Sequence, residues 1–226
     1  MIFTPYRLRF TVPAMREAQT APKPYHHGDL RRALVDAARR LLEADGPSAL
    51  SLRAVAREAG VSPAAPYHHF KDKGELLEAV AEQGWDALNE TLANARQNSA
   101  SLRDRMAGIG VAYVCFARDN PALYRVMYDQ SRDKEALPEH VHGHEAYCRV
   151  RDTLLEAGAD PADEVGLELA VTAAWCAAHG LAEMAGFKQF QPLKDALGGE
   201  EAFLRGVFQH MGVFAQGLHR GSPAED

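Results

Sequence analysis

The 226-residue chain carries a formal net charge of −6, with 46% apolar and 25% charged residues, a balance that fits a globular protein of one large domain or two small ones. Three widely spaced cysteines, Cys115, Cys148 and Cys176, exclude a disulfide framework and point to a reducing, cytoplasmic setting. The longest apolar stretch, Val165 to Gly186, carries Glu168, His179 and Glu183, which argues against a membrane span.

The opening "MIFTPYRLRFTVPAM" is broken by Pro5 and Pro13 and is not read as a signal peptide. Residues 1–24 are expected to form a mobile arm, with Met15 as an alternative start. Charge is unevenly spread: residues 1–22 sum to +2, residues 23–73 to +3 and residues 74–226 to −11. The acidic body would repel a polyanion, so any nucleic-acid contact belongs to the front of the chain.

Helical periodicity then runs through nearly the whole chain. From Asp29, a proposed N-cap, Leu30, Leu34, Ala37, Ala38, Leu41 and Leu42 share one face, and Gly46 stops the helix. Ser51 caps a second helix that ends at Gly60, with Leu52, Val55, Ala56 and Ala59 inward. Ser62 and Pro63 open a third, "SPAAPYHHF". A longer helix is expected from Lys73 to about Gln97. Further helices follow from Ser101 to about Asn120, Pro121 to Tyr128, His140 to Glu156, after "GADPADEVG" to about Gly186, and Glu200 to Leu218. "KQFQPLKDALGGE" reads as a break. The fold class is all-α, about nine helices, with a helix-turn-helix domain over 25–74, a helical bundle over 75–220 and a tail over 221–226.

Residues 51–70 carry the main signal. Two short helices meet at "AGVS", where Gly60 can turn left-handed, Ala56 permits a close crossing and Val61 plugs the corner, the layout of a helix-turn-helix. With its flanks, "AARRLLEADGPSALSLRAVAREAGVS" and "PYHHFKDKGELLEAV", the chain resembles the tetracycline-repressor (TetR) family of transcriptional regulators over residues 29–80. Pro66 departs from the family pattern, in which a bulkier apolar residue is common; it removes a helical hydrogen bond and makes the recognition helix irregular. The resemblance implies DNA contacts at Ser51, Arg53, Ser62, Pro63, Ala64, Ala65, Tyr67, His68 and Lys73. Hydroxyls, helix N-termini, Tyr67 and Lys73 would hold phosphates, and the small residues would enter the groove. Phe70 is expected in the core with His69 beside it. The adjacent histidines are not read as a metal site, because neighbours on a helix diverge by about 100°.

The resemblance also implies that the C-terminal helices bind a small molecule and that the last two pair with a second subunit. "WCAAHGLAEMAG" resembles the Trp-x-x-x-His-Gly signature of one C-terminal subclass. Aromatic and apolar residues with polar tips suit a ligand pocket: Trp85, Met106, Ile109, Tyr113, Phe116, Tyr124, Met127, Tyr128, Trp175 and His179. Ala174, Ala178 and Ala182, with Val207, Met211 and Phe214, suit a four-helix dimer interface.

The expected function is therefore a homodimeric repressor of a double-stranded, palindromic operator, released by a small effector, with no cofactor, no metal and no membrane partner. A metal-sensing regulator using His140, His144 and Cys148, at i, i+4 and i+8, is the alternative. An enzyme built on Cys176 and His179 would need a nucleophile elbow, a phosphate loop or paired acids, and the sequence offers none.

Overall fold

The computed structural model describes residues 27–98, 101–131 and 144–219; the expected N-terminal arm, His140, His142 and the tail lie outside them. Among the described residues the chain forms nine α-helices and no strand.

Helix α1 spans His27–Asp45 and buries Leu34, Ala37, Ala38 and Leu42. It starts two residues before Asp29, which therefore lies inside the first turn rather than capping it. Gly46, at φ +78°, ends it and leads into a short 3-10 turn, Pro47–Ala49. Helix α2, Leu52–Glu58, is capped as its sequence predicts: the Ser51 hydroxyl accepts the Ala54 N–H at 3.1 Å. Gly60 then turns at φ +69°, and the Val61 N–H bonds the Ala56 carbonyl at 2.9 Å.

The third helix of the sequence reading is instead a turn and a 3-10 segment, Ala65–His68. Pro66 has no N–H to return to Ser62. The Ser62 carbonyl accepts from Ala65 at 3.0 Å instead, and Ala64 accepts from Tyr67 at 3.2 Å, both three-residue closures. The Ser62 hydroxyl, expected as the cap, makes no hydrogen bond among the described residues. Pro66 itself is buried and fills the apolar position beneath the segment.

Helix α3, Lys73–Gln97, is about 37 Å long at 1.5 Å per residue. Asp72 caps it, accepting the Glu75 N–H at 3.0 Å, and Glu75 returns to the Lys71 N–H at 2.6 Å. Helix α4, Leu102–Asp119, is capped by Ser101. Helix α5, Pro121–Ser131, runs three residues past the predicted end at Tyr128. Then come α6, His144–Glu156, and α7, Glu164–Met184, the latter capped by Asp163.

The stretch expected as a break holds α8, Gln191–Leu197, before α9, Glu200–His219. Its breakers sit at its ends: Pro192 in the first turn, and Gly198, at φ +90°, after the last. Lys194 anchors it through a 2.7 Å bond to the Ala185 carbonyl and a 3.6 Å ion pair with Glu200.

Helix α3 is the axis of the molecule. Its start packs on α1, its length on α4 and α5, and its end on α6; α4 in turn packs on α7 and α9. Two further hydrogen bonds tie α1 to the body, Gln83 to Asp36 at 2.6 Å and the Leu123 N–H to Glu43 at 3.0 Å.

Candidate functional site

The first site is the corner between α2 and α3. Gly60 redirects the chain so that Ser62, Pro63, Ala64, Tyr67 and His68 face solvent, while Val55, Pro66 and Phe70 are buried beneath them. Ala65 and His69 are half-buried. Ser51, Arg53 and Pro63 line one open concavity with Arg57, which the sequence reading omitted although it lies one turn from Arg53 on the same helix face. Tyr67 is 53% exposed, its hydroxyl free to meet a phosphate. Lys73 donates to the Pro47 carbonyl at 2.9 Å, which steadies its ammonium beside this surface and leaves further donors for a second acceptor. The chemistry of the corner is hydroxyls, small side chains and cations around one protruding turn.

The second site lies between α3, α4, α5 and α7. Six of the ten predicted pocket residues converge there. The Tyr113 hydroxyl lies 2.9 Å from that of Tyr124 and also meets the Tyr128 hydroxyl; His179 Nδ1 lies 2.5 Å from the Tyr124 hydroxyl. Trp85 stacks on Trp175 at 6.2 Å and 28°, and meets Tyr128 edge-on at 5.4 Å. Tyr128 and His179 are 4.5 Å apart. The other four stand differently. Met127 is fully buried against Gly84, Ile109 and Phe116 are buried on α4, and Met106 is half-buried.

Burial holds the phenols protonated. Desolvation raises Tyr113 furthest, with the neighbouring Tyr128 and Tyr124 adding to it. Desolvation likewise raises Tyr128 and pushes Tyr124 up to about 12, against the hydrogen bonds from Tyr113 and Tyr128 and with a further push from Glu183. The three phenols are thus neutral and desolvated. Among the buried polar atoms on α3 with no hydrogen-bond partner among the described residues are Trp85 Nε1, in the cluster, and, one turn on, Asn89 Oδ1. Each such buried group costs about 1–3 kcal/mol. Asn89, 8% exposed, was absent from the sequence reading.

The third feature is the outer face of α7. Val165 and Leu169 are 73% and 64% exposed, followed along the helix by exposed Ala173, Cys176 and Met184. By length and composition alone this helix could cross a membrane, yet only 17% of its apolar window is buried within the chain. The residues predicted for an interface divide. Ala178 is buried against the chain's own core, Ala174, Ala182 and Val207 are half-buried, and Met211 is exposed. The Phe214 side chain lies outside the described part.

The remaining candidates stand apart from these sites. His144 Nε2 lies 3.4 Å from Cys148 Sγ on α6, and no group of three metal-ligating side chains occurs among the described residues. Cys176 is exposed while His179 turns toward Tyr124 and Tyr128.

Comparison with known proteins follows the same division. The family model described as bacterial regulatory proteins, tetR family, matches residues 34–80, and the one described as tetracyclin repressor-like, C-terminal domain, matches residues 106–207. The HTH-type transcriptional regulator BetI of Rhizobium meliloti (strain 1021) is 33% identical over 110 residues. These are 47% of this chain and 54% of that protein, so the match spans about half the length of this curated relative. A protein of unknown function from Rhodococcus sp. RHA1 superposes with a TM-score of 0.66 at 34% identity, covering 84% of this chain and 96% of that one. The TetR family transcriptional regulator PfmR from Thermus thermophilus shares the fold, with a TM-score of 0.52 at 21% identity over 77% of this chain and 94% of its own.

Proposed function

Because the chain belongs to the tetR family of bacterial regulatory proteins, we propose that it is a cytoplasmic repressor that grips a palindromic operator as a homodimer and lets go when a small molecule enters the aromatic cluster. The observation that carries this reading is a single continuous helix. Helix α3 begins at Lys73, beside the exposed turn, and carries Trp85 into the cluster. A ligand that moves Trp85 therefore moves the element on which the DNA-facing corner is mounted.

Each end has its own task. At the corner, Tyr67, Ser51, Arg53 and Lys73 hold phosphates, while Pro63, Ala64 and Ala65 enter the major groove and His68 meets a base edge or a phosphate. In the body, over residues 75–220, the cluster receives the effector. The outer face of α7, with α9, meets the same face of a second subunit. Two subunits set their turns about 34 Å apart, one helical repeat of DNA, and so read a palindrome. Linkage fixes the response: an effector that prefers a different spacing weakens DNA binding by the factor by which DNA weakens effector binding.

The test is the salt dependence of operator binding. Lys73→Ala is expected to weaken binding across sequences and to lower the salt slope by about one unit, with Tyr67→Phe acting the same way on a smaller scale. A changed sequence preference with an unchanged slope would move these residues from phosphate to base contacts.

A further inference from the structure

Trp85 and Asn89 lie four residues apart on α3 and so share one face of it. They are 4% and 8% exposed. One presents an N–H without an acceptor and the other a carbonyl oxygen without a donor, both sealed from solvent. The hydroxyls of Tyr113, Tyr124 and Tyr128 and Nδ1 of His179 bond one another. Trp85 and Asn89 therefore leave one acceptor and one donor wanting on the face of α3 that carries Trp85 against Trp175.

Charge narrows the answer. Among the described residues, the groups that act on the three phenols are one another, the Trp175 indole and the Glu183 carboxylate, with no lysine or arginine among them. An anion would lose its water there, would find no lysine or arginine acting on the phenols among the described residues, and would lie against Glu183. A permanent cation would gain from the ring faces but would leave the Trp85 N–H without an acceptor.

We propose that the effector is an uncharged, flat aromatic molecule bearing a carboxamide or hydroxyl group, bound with its ring against Trp175 and its polar group between Trp85 Nε1 and Asn89 Oδ1. A carboxamide does both jobs at once: its oxygen accepts from the indole and its NH2 donates to Asn89. Tyr128, Trp175 and His179 are the half-buried members of the cluster, so entry is from the side where α5 meets α7. This inference rests on the cluster being the effector site, and it assigns the class of molecule that site selects.

The chain's only two tryptophans are both in the cluster, so tryptophan emission reports on it directly. The full-length protein would be titrated with benzamide, benzyl alcohol, benzoate, phenyltrimethylammonium and toluene, with emission and calorimetry as readouts. Benzamide or benzyl alcohol is expected to bind about tenfold or more tightly than the other three, because a site with unpaired polar groups rejects analogues that leave them unpaired. Asn89→Leu and Trp85→Phe, each retaining bulk, are expected to abolish that preference, bringing benzamide and benzyl alcohol to the level of toluene. Saturable binding in which benzoate or the cation matches the neutral polar probes would overturn the assigned class and keep the site. A preference that survives both substitutions would overturn the Trp85–Asn89 assignment. No saturable change in emission with any of the five would overturn the proposal and the effector-site reading with it.

Discussion

The carboxylate of Glu43, near the end of α1, accepts the backbone N–H of Leu123 at 3.0 Å in the first turn of α5. The next residue, Tyr124, bonds Tyr113 and His179 in the aromatic cluster. A single peptide unit therefore separates a contact of the helix-turn-helix domain from a contact of the cluster. The first N–H groups of a helix lack internal partners, and a carboxylate there also meets the positive end of the helix dipole. Glu43→Ala is expected to cost about 0.5–2 kcal/mol, as loss of a helix cap does. It should also weaken communication. In the parent protein, operator binding should change tryptophan emission; in Glu43→Ala the change at saturating DNA should shrink. An undiminished change would place the route elsewhere, along α3 alone.

The buried phenols predict an alkaline limit to stability. Their folded pKa values lie above the ordinary tyrosine value of about 10. The fold therefore favours the neutral form. Its contribution is whole below pH about 10 and is lost as pH rises toward and past the value of about 12 given for Tyr124. Of the seven tyrosines, Tyr113, Tyr124 and Tyr128 should stay protonated in an ultraviolet titration until the helical signal collapses. Ionisation of all seven in an intact fold would contradict the cluster's burial.

Two glycines test the packing of the bundle. A Cβ added at Gly84 would sit 2.7 Å from Met127 Cγ and Sδ, and one added at Gly110 would sit 2.6 Å from the Phe208 ring. Alanine gains about 1 kcal/mol over glycine within a helix, whereas overpacking costs about 1–3 kcal/mol. A methionine can swing aside more readily than a ring held between two helices. Gly84→Ala should therefore stay within about 1 kcal/mol of the parent, and Gly110→Ala should lose about 1–2 kcal/mol by urea denaturation. A more stable Gly110→Ala would show that α4 and α9 yield easily.

The apolar outer face of α7 predicts the assembly. Leu169 is 64% exposed, so Leu169→Lys should leave helicity and monomer stability nearly unchanged. In a symmetric interface it would bury a charge from each subunit without a partner. Sedimentation should show monomers in the variant and dimers in the parent, and operator affinity should fall with dimerisation. A Leu169→Lys protein that remains a dimer would move the interface off this face.

Much of the fold was legible in local chemistry. Ser51, Gly46, Gly60 and Ser101 act as punctuation where their residue types say they should. Other local signals misled, the expected caps Asp29 and Ser62 among them. Pro66 splits the expected recognition helix into a turn and a 3-10 segment, because the loss of one N–H changes which carbonyl each neighbour meets. Pro192 and Gly198 bracket a short helix rather than interrupting one. Within the aromatic cluster the residue types were readable, but their convergence depends on how four helices pack. Asn89 was invisible because a lone asparagine in an amphipathic pattern does not reveal whether it is buried. On α7, apolar on nearly every side, periodicity could not tell which stripe faces the chain's own core. Ala178 turned inward, and Val165 and Leu169 outward.

The central claim is that the exposed turn beside Lys73 reads DNA as one half of a symmetric pair. Selection of bound sequences from a random duplex library by the purified full-length protein tests it most directly. The account predicts enrichment of an inverted repeat whose half-sites are centred about one helical turn, or a multiple of it, apart, with affinity falling in both Tyr67→Phe and Lys73→Ala. Failure to enrich any sequence, or enrichment of a single unpaired half-site bound equally well by both variants, would contradict it.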